Sequence, residues 1–368
     1  MELPILKTAA PGCRRCEVLP PPLQGPGTLH LRFPLGHSMG KILKFARHSG
    51  WEYSEQDDLM SIIIADADLA PTVLPLCQNL TLTELEDVRV LFQPKDQLLQ
   101  WQNFFEVDSL RAFAAKSQSG WLLSMLEEKR LDTWFQPIVE CADPTNVFAY
   151  ECLMRGEDNG QLVFPDRILN VARGAGLLFH LDRAARVASI QNAAKFDLKT
   201  KIFINFTPTA IYDPINCLQT TVKAVDACGL KREQVVFEVI ESDHVHDPNF
   251  LRNILDFYRE QGFGVALDDI GSGYSSLNLL NQIRPDYMKL DREISSGVHA
   301  DSYKGLIAAK LLEVARGLEI PTIVEGVETA EEFHWLCDHG ADYVQGYLFA
   351  KPATPPPAPA VLETLAVS

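Results

Sequence analysis

The chain has 368 residues, of which 46% are hydrophobic and 22% charged, a composition typical of folded globular proteins rather than of disordered ones. At about 150 residues per domain, this length predicts two domains, or one large barrel with an appendage. The formal net charge of -16 argues against a surface that binds DNA or RNA polymers, because such surfaces are basic.

Two general features indicate where the protein acts. No apolar run approaches the roughly 18 residues of a membrane span, and the N-terminus lacks the regions of a secretion signal. The eight cysteines are scattered along a long chain, which favours reduced thiols. We therefore expect a cytoplasmic protein without a membrane span.

The N-terminal third of the chain has its own composition. Residues 1–36 are rich in Pro and Gly and predict an extended lead-in. Residues 37–118 predict a small α+β module with a regulatory or sensory role, assigned from position alone; it contains a helix at 38–48, strands at 59–68 and 88–92, and one or two helices at 99–117. Cys13 and Cys16 have a CxxC spacing without a second pair, so metal binding there stays open.

The region 119–352 has a repeating pattern of short apolar runs separated by helical stretches. This pattern predicts parallel strands buried on both faces, as in a (β/α)8 barrel. Only residues 141–146 separate the first two runs, too few for the roughly dozen residues of a parallel crossover, so we expect an antiparallel first strand. Residues 353–368 are rich in proline and predict a flexible tail. The runs are WFQPIVE, FAYE, KIFIN, VVFEVIE, GVALDD, YMKLD, TIVEGVE and YVQGY.

Polar side chains recur at the ends of these runs, where the active site of such a barrel lies. Carboxylate and amide oxygens favour Mg2+ or Mn2+ over zinc, and the adjacent Asp268 and Asp269 repel each other unless cations bridge them. A single acid at a strand end is more often a helix cap or a surface ion pair, but a whole set in register predicts a metal-dependent phosphoesterase. The set is Glu151, Asn205, Glu238, Asp268, Asp269, Lys289, Glu325 and Gln345.

The same region, from about residue 121 to 352, resembles the EAL family of bacterial cyclic di-GMP phosphodiesterases. The motifs that carry the resemblance are FQPIV, YECLMRG, FINFTP, FEVIES, LDDIGSGYSSL, PDYMKLD, IVEGVET and QGYLFAKP. The resemblance implies a homodimer that hydrolyses cyclic di-GMP to linear pGpG with Mg2+ or Mn2+, two ions per active site.

Residue roles follow from the resemblance alone. Asp268 and Asp269 are implied to reach a second ion, and Lys289 and Glu325 to hold or deprotonate the attacking water. Glu241, in the loop after the fourth strand, is implied to couple the loop 270–277 to catalysis and dimerisation. The implied ligands of the first ion are Glu151, Asn205, Glu238 and Asp268, and the implied contacts to the dinucleotide are Gln136, Leu153, Arg155 and Gln345.

One departure from the family signature and two alternative functions remain. Cys152 replaces the alanine of the Glu-Ala-Leu tripeptide, and strand alternation points it away from Glu151 toward the outer helices, as a core residue. A catalytically inactive cyclic di-GMP receptor that signals through its N-terminal module is the main alternative. A barrel hydrolase for another phosphoester is the other.

Overall fold

The computed structural model describes residues 18–211, 213–240, 248–271 and 276–360. Glu241, Cys13, Cys16 and residues 272–275 of the predicted loop lie outside these ranges. The chain divides into two compact units. The N-terminal unit comprises Val18–Arg130 and Asp158–Leu181, and the barrel unit is built mainly from Leu131–Glu157 and Asp182–Ser368. The boundaries of the predicted domains stay a proposal.

An antiparallel five-stranded sheet forms the centre of the N-terminal unit, with strand order β2-β3-β1-β4-β5. Apolar side chains of the sheet and of α1 make one buried core. The small α+β module predicted from the sequence is confirmed. Its strands are β1 Gly27–Arg32, β2 Tyr53–Gln56, β3 Leu59–Ile64, β4 Arg89–Pro94 and β5 Asp108–Ser109; its helices are α1 Gly36–Ser49, α2 Ala70–Gln78, α3 Leu82–Asp87, α4 Leu110–Ser117 and α5 Gly120–Glu127, with a 3-10 helix at Trp101–Glu106.

The prediction of an extended lead-in through residue 36 is wrong for Gly27–Arg32, which form the central strand of this sheet. Pro26 precedes β1 and Pro34 follows it, so no proline lies within the strand and every residue of β1 keeps its backbone donor. Leu29 and Leu31 are fully buried, while His30 between them faces the other side of the sheet and contacts Ser61 and Gln93. The local alternation therefore outweighs the Pro and Gly content of the flanking sequence.

Eight strands close the barrel, in the order β6-β14-β13-β12-β11-β10-β9-β7, with β6 pairing β7. The first strand, β6, is antiparallel to both neighbours, as predicted, and the other barrel pairings are parallel. The strands are β6 Leu131–Glu140, β7 Val147–Asp158, β9 Lys201–Phe206, β10 Val235–Ile240, β11 Gly264–Ile270, β12 Tyr287–Leu290, β13 Thr322–Val324 and β14 Tyr343–Gln345, with a short β8 at Gln161–Val163. The short β8 and the helix α6 Pro165–Ala175 fall in the second segment of the N-terminal unit. The helices that follow are α7 Leu178–Lys195, α8 Pro214–Cys228, α9 Pro248–Glu260, α10 Ser276–Ile283, α11 Arg292–Ser295, α12 Ser302–Gly317 and α13 Ala330–Asp338.

A buried apolar layer inside the barrel explains why the polar residues meet. This core layer is Ile138, Ala149, Phe203, Val236, Ala266 and Ile323. Because side chains alternate along a strand, residues two positions further on face the same interior, one layer nearer the C-terminal ends. On the antiparallel β6 the count runs backward, from Ile138 to Gln136. The polar layer above the core layer is therefore Gln136, Glu151, Asn205, Glu238, Asp268 and Glu325.

The predicted flexible tail differs from the structure at its beginning. Phe135 and Ala353 exchange two backbone hydrogen bonds, of 2.8 and 3.1 Å. Further on, the Tyr150 hydroxyl donates to the Pro357 carbonyl at 3.0 Å, and the Ala360 amide donates to the Phe349 carbonyl at 2.7 Å. Proline lacks a donor but keeps its acceptor, so the tail bonds through its alanine amides and its carbonyls. The prediction is wrong for residues 353–360.

In the parts of the chain that the structure describes, no helix has both the length and the apolar character needed to cross a membrane.

Candidate active site

The buried ammonium group of Lys289 lies at the centre of the polar layer. Its Nζ is 2.5 Å from Glu325 Oε1 and 2.6 Å from Glu238 Oε1. It is also 3.2 Å from Asp268 Oδ1 and 3.8 Å from Glu151 Oε1. The strands β7, β10, β11 and β12, together with the turn after β13, thus bring distant parts of the sequence to one cation.

A chain of amide side chains holds Glu151 from the other side. Gln345 Nε2 donates to Glu151 Oε2 at 2.6 Å and to Gln136 Oε1 at 3.0 Å. Gln136 Nε2 in turn donates to the Ala350 carbonyl at 3.2 Å, and Asn205 Nδ2 lies 3.4 Å from Glu151 Oε1. Gln136 and Gln345 were predicted to contact the dinucleotide. The structure places both of them, buried, in the network that orients Glu151.

A β-bulge in β11 turns two consecutive acids toward one opening. Regular alternation would send Asp268 and Asp269 to opposite faces of the strand. The pairing of β11 with β12 shifts register between Leu267 and Ile270, and Asp269 has a left-handed φ of 59°. The Asp269 amide donates to Asp268 Oδ1 at 2.9 Å. As a result, carboxylate oxygens of Asp268, Asp269 and Glu325 lie within 4.8 Å of one another.

Leu153 and Arg155 continue the inward-facing row of Glu151 along β7, beyond the polar layer. Leu153 is partly exposed, and the Arg155 guanidinium lies over the Trp134 ring at 5.0 Å from its centroid. Burial lowers the pKa of Arg155, against the opposing effects of Glu151 and Tyr347. These two residues lie where a ligand above the carboxylates would contact β7.

The electrostatics of the polar layer are dominated by burial and by the mutual repulsion of acids. Burial raises the pKa of Glu325 to about 8 and that of Asp269 to about 6, and Asp268 adds to both effects. Burial likewise raises the pKa of Glu238 well above its usual range. Burial alone would lower the pKa of Lys289, but the surrounding carboxylates outweigh it and raise that pKa, so the lysine is an ammonium ion.

The residues of the polar layer fit divalent metal ions. When all are ionised, Glu151, Glu238, Asp268, Asp269 and Glu325 leave an excess of four negative charges around the one ammonium of Lys289. Among the described residues, neither oxygen of the buried Glu238 has a hydrogen-bond partner; the nearby ammonium is close enough for an ion pair, but its angles are not those of a hydrogen bond. Unsatisfied carboxylate oxygens around an acidic centre suit hard cations such as Mg2+ or Mn2+.

Cys152 points away from this centre, as alternation predicted. It is buried and faces Ser189 on the outer helix α7. Burial raises the pKa of its thiol, and the nearby acids Glu238 and Glu151 raise it further, which keeps the sulfur protonated. The cysteine therefore serves as a small core residue at the position of the family alanine.

The sequence did not indicate the amide chain or the bulge. Alternation places Gln136 and Gln345 inside the barrel, but it cannot tell a ligand contact from a hydrogen bond to Glu151. The Asp-Asp pair followed by Ile-Gly was the one available signal of an irregular strand end, since a glycine in a strand pattern often accompanies a bulge.

The comparisons with known proteins agree with this geometry. The EAL domain family model matches residues 119–352. The probable cyclic di-GMP phosphodiesterase PdeG of Escherichia coli K12 is 31% identical over 226 residues, which are 60% of this chain and 44% of PdeG. This chain therefore spans less than half the length of that curated relative.

Two solved structures resemble the chain. A standalone EAL protein from Vibrio cholerae O395, in its c-di-GMP bound form, is 36% identical, with a TM-score of 0.57 over 62% of this chain and 95% of that one. The manganese and cy-diGMP complex of Klebsiella pneumoniae BlrP1 is 22% identical, with a TM-score of 0.56 over 89% of this chain and 96% of that one. At that identity the second likeness shows the fold alone.

Proposed function

This chain belongs to the EAL domain family, and we propose that it hydrolyses cyclic di-GMP to linear pGpG, using two divalent ions, Mg2+ or Mn2+. The observation that carries the proposal is the Lys289 ammonium held by Glu151, Glu238, Asp268 and Glu325, with Asp269 turned to the same opening. An oxygen-donor set of this kind is suited to phosphodiester hydrolysis.

The metal ligands come from four neighbouring strands. We propose that Glu151, Asn205, Glu238 and Asp268 hold one ion, and that Asp268 and Asp269 reach the second. When bound, such ions lower the pKa of water and neutralise phosphate charge. The Gln345 amide orients Glu151 through its 2.6 Å hydrogen bond, so it prepares the first site before any ligand binds.

In the reaction a water oxygen attacks one phosphorus, the P–O3′ bond breaks, and the released 3′ oxygen takes up a proton. Glu325 is suited to hold the water and accept its proton, because its carboxylate faces the Asp268–Asp269 pair. Lys289 remains an ammonium and stabilises negative charge that develops beside it. Glu241 keeps its proposed coupling role, although it lies outside the described residues.

Recognition of the ligand is assigned to the rim of β7. Arg155 supplies a cation beside the acidic layer, where a doubly anionic dinucleotide needs one, and Leu153 supplies an apolar surface. Gln136 and Gln345, proposed as contacts from the sequence, would act on the ligand through Glu151. We further propose that the protein acts in the cytoplasm.

A homodimer is part of the proposal. Helix α12 exposes apolar side chains near its start, Tyr303 at 76% and Leu306 at 61%, and Leu318, which caps its C-terminal end, is 53% exposed. Exposed apolar patches can mark a contact with another protein surface, so we propose this helix as the dimer contact. Sedimentation of the wild type and of a Leu306→Glu variant tests it, since the variant should shift to the monomer.

Purified protein incubated with cyclic di-GMP and Mg2+ or Mn2+ tests the activity. We expect pGpG to form at a rate proportional to enzyme concentration, and we expect no pGpG to form when EDTA is present from the start. Calorimetric binding of cyclic di-GMP without any pGpG would instead favour the receptor alternative. Hydrolysis of a simple phosphodiester at a comparable rate would favour a hydrolase of other substrates.

A further inference from the structure

The turn that follows β13 carries Glu325, and the placement of this carboxylate depends on the backbone beneath it. Within the described residues, Glu325 Oε1 has no hydrogen-bond partner and lies against the ammonium of Lys289 at 2.5 Å. An ion pair of this kind holds distance but little direction. The direction of the side chain is therefore set by the main chain of the turn.

A fully buried serine contacts that main chain at Glu325 itself. Ser295, the last residue of α11, is 0% exposed, and its Oγ donates to the Glu325 carbonyl at 2.5 Å. A second acceptor, the Arg292 carbonyl, is 3.3 Å away, so the single hydroxyl proton belongs to Glu325. On the other side, the Glu325 amide donates to the Leu290 carbonyl at 2.9 Å.

The remainder of the turn is held further from Glu325. Arg292 pairs with Glu328 at 2.8 Å, and Glu332 accepts from the Glu328 and Thr329 amides at 2.9 and 3.1 Å. These contacts fix the far end of the turn. Gly326 has a φ of 69°, and an added Cβ would lie 2.4 Å from Arg292 Cγ, so the turn packs closely against the Arg292 side chain of α11.

We infer that Ser295 is a positioning residue for Glu325: by binding its carbonyl, the serine aims the carboxylate at Lys289 and at the Asp268–Asp269 pair. The connection is short, because α11 follows β12 directly and β12 carries Lys289. One segment thus supplies both the ammonium and the hydroxyl that orients its carboxylate partner. This inference rests on the proposed function for its catalytic consequence, but not for its geometry.

Ser295→Ala tests the inference, and Ser119→Ala is the matched control. Ser119 is a buried serine of the N-terminal unit whose Oγ also donates to a backbone carbonyl, that of Lys116, at 2.8 Å. Isothermal titration measures the affinity of the acidic cluster for Mn2+, which depends on the placement of its carboxylates and needs no turnover. The rate of pGpG formation gives kcat and KM separately.

Loss of a residue that orients a metal-binding or catalytic group typically costs 10-fold to 100-fold. We expect Ser295→Ala to weaken Mn2+ binding by roughly 10-fold and to lower kcat by a similar factor, with KM within about twofold of wild type. Ser119→Ala should match wild type in each measurement. If Ser295→Ala does not fold, Ser295→Cys keeps the volume with a weak donor and should show smaller losses in the same direction.

Wild-type Mn2+ affinity and kcat in Ser295→Ala, or in Ser295→Cys if only that variant folds, would overturn the inference. Equal losses in Ser295→Ala and Ser119→Ala would also overturn it, because they would reflect general destabilisation. Absence of pGpG from the wild type is a different result: it removes the proposed function, while the Mn2+ titration still decides the role of Ser295.

Discussion

Gly346 follows Gln345 at the end of β14, where the backbone leaves no space for a side chain. A Cβ added at Gly346 would lie 1.9 Å from the Val327 carbonyl oxygen and 2.4 Å from the Val327 nitrogen. Since ordinary contacts between heavy atoms are about 3.5 Å, a Gly346→Ala substitution requires a displacement of about 1.5 Å. Neither partner is a flexible side chain, so the turn that carries Glu325 must move.

Two hydrogen bonds join these segments: the Val327 amide donates to the Gln345 carbonyl at 3.0 Å, and the Leu348 amide donates to the Val327 carbonyl at 3.1 Å. Losing both costs about 2 kcal/mol, and overpacking adds about 1–3 kcal/mol. We expect Gly346→Ala to destabilise the protein by about 4 kcal/mol and to lower the melting temperature by roughly 10 °C. Turnover should fall by on the order of 100-fold, the usual effect of a 1 Å misplacement in a site.

Melting curves and pGpG formation well below the melting temperature measure both effects. Gly317→Ala, at the end of α12, is the control, because an added Cβ there meets no atom within 4 Å. This control should keep wild-type turnover and gain up to about 1 kcal/mol of helix stability. A Gly346→Ala protein that melts within about 3 °C of wild type and keeps its turnover would refute the steric reasoning.

Three other outcomes are expected. Asp269→Asn and Lys289→Ala should each lower pGpG formation by at least on the order of 100-fold, and unchanged turnover in both would contradict their assigned roles. Ca2+ should support cyclic di-GMP binding with little hydrolysis, because its coordination is looser; titration calorimetry beside the pGpG assay checks this, and rapid hydrolysis would contradict it. Glu84 has its pKa lowered from 4.5 to about 2, chiefly by Lys41, so its ionised form stabilises the fold above pH 4.5, and this contribution is lost as the pH falls toward 2. Melting temperatures between pH 7 and 3 should fall less in Glu84→Gln than in wild type, and parallel curves would count against that role.

The barrel and most of its site follow from strand alternation. The pattern of apolar runs predicts the eight strands, and the short link after the first run predicts its antiparallel direction. Once Val236 and Ala266 are assigned to the core layer, Glu238 and Asp268 must face the same interior one layer up. Regular strand alternation therefore predicts that most of the charged residues meet, even before their individual contacts are known.

Irregular geometry accounts for what the sequence does not predict. Asp269 joins the site only because a bulge breaks the alternation, and a left-handed residue cannot be read from an Asp-Asp pair alone. The hydroxyl of Ser295 meets a carbonyl 30 positions away, a contact that depends on the path of two loops. The prolines near residues 20 and 355 led to the two wrong predictions, the extended lead-in and the flexible tail. Proline lacks a backbone donor, but neighbouring residues such as Ala353 keep theirs and can bond to a strand.

The attachment of residues 353–360 to the barrel gives the protein two different C-terminal limits. The match to the EAL domain family model ends at residue 352, yet Ala353 extends the pairing of Phe135, and Ala360 still bonds to Phe349. Truncation after residue 352 would remove the backbone hydrogen bonds between Ala353 and Phe135 of β6. The family match and the hydrogen bonds of the fold therefore end at different residues, and a stable fragment should keep the residues through Ala360.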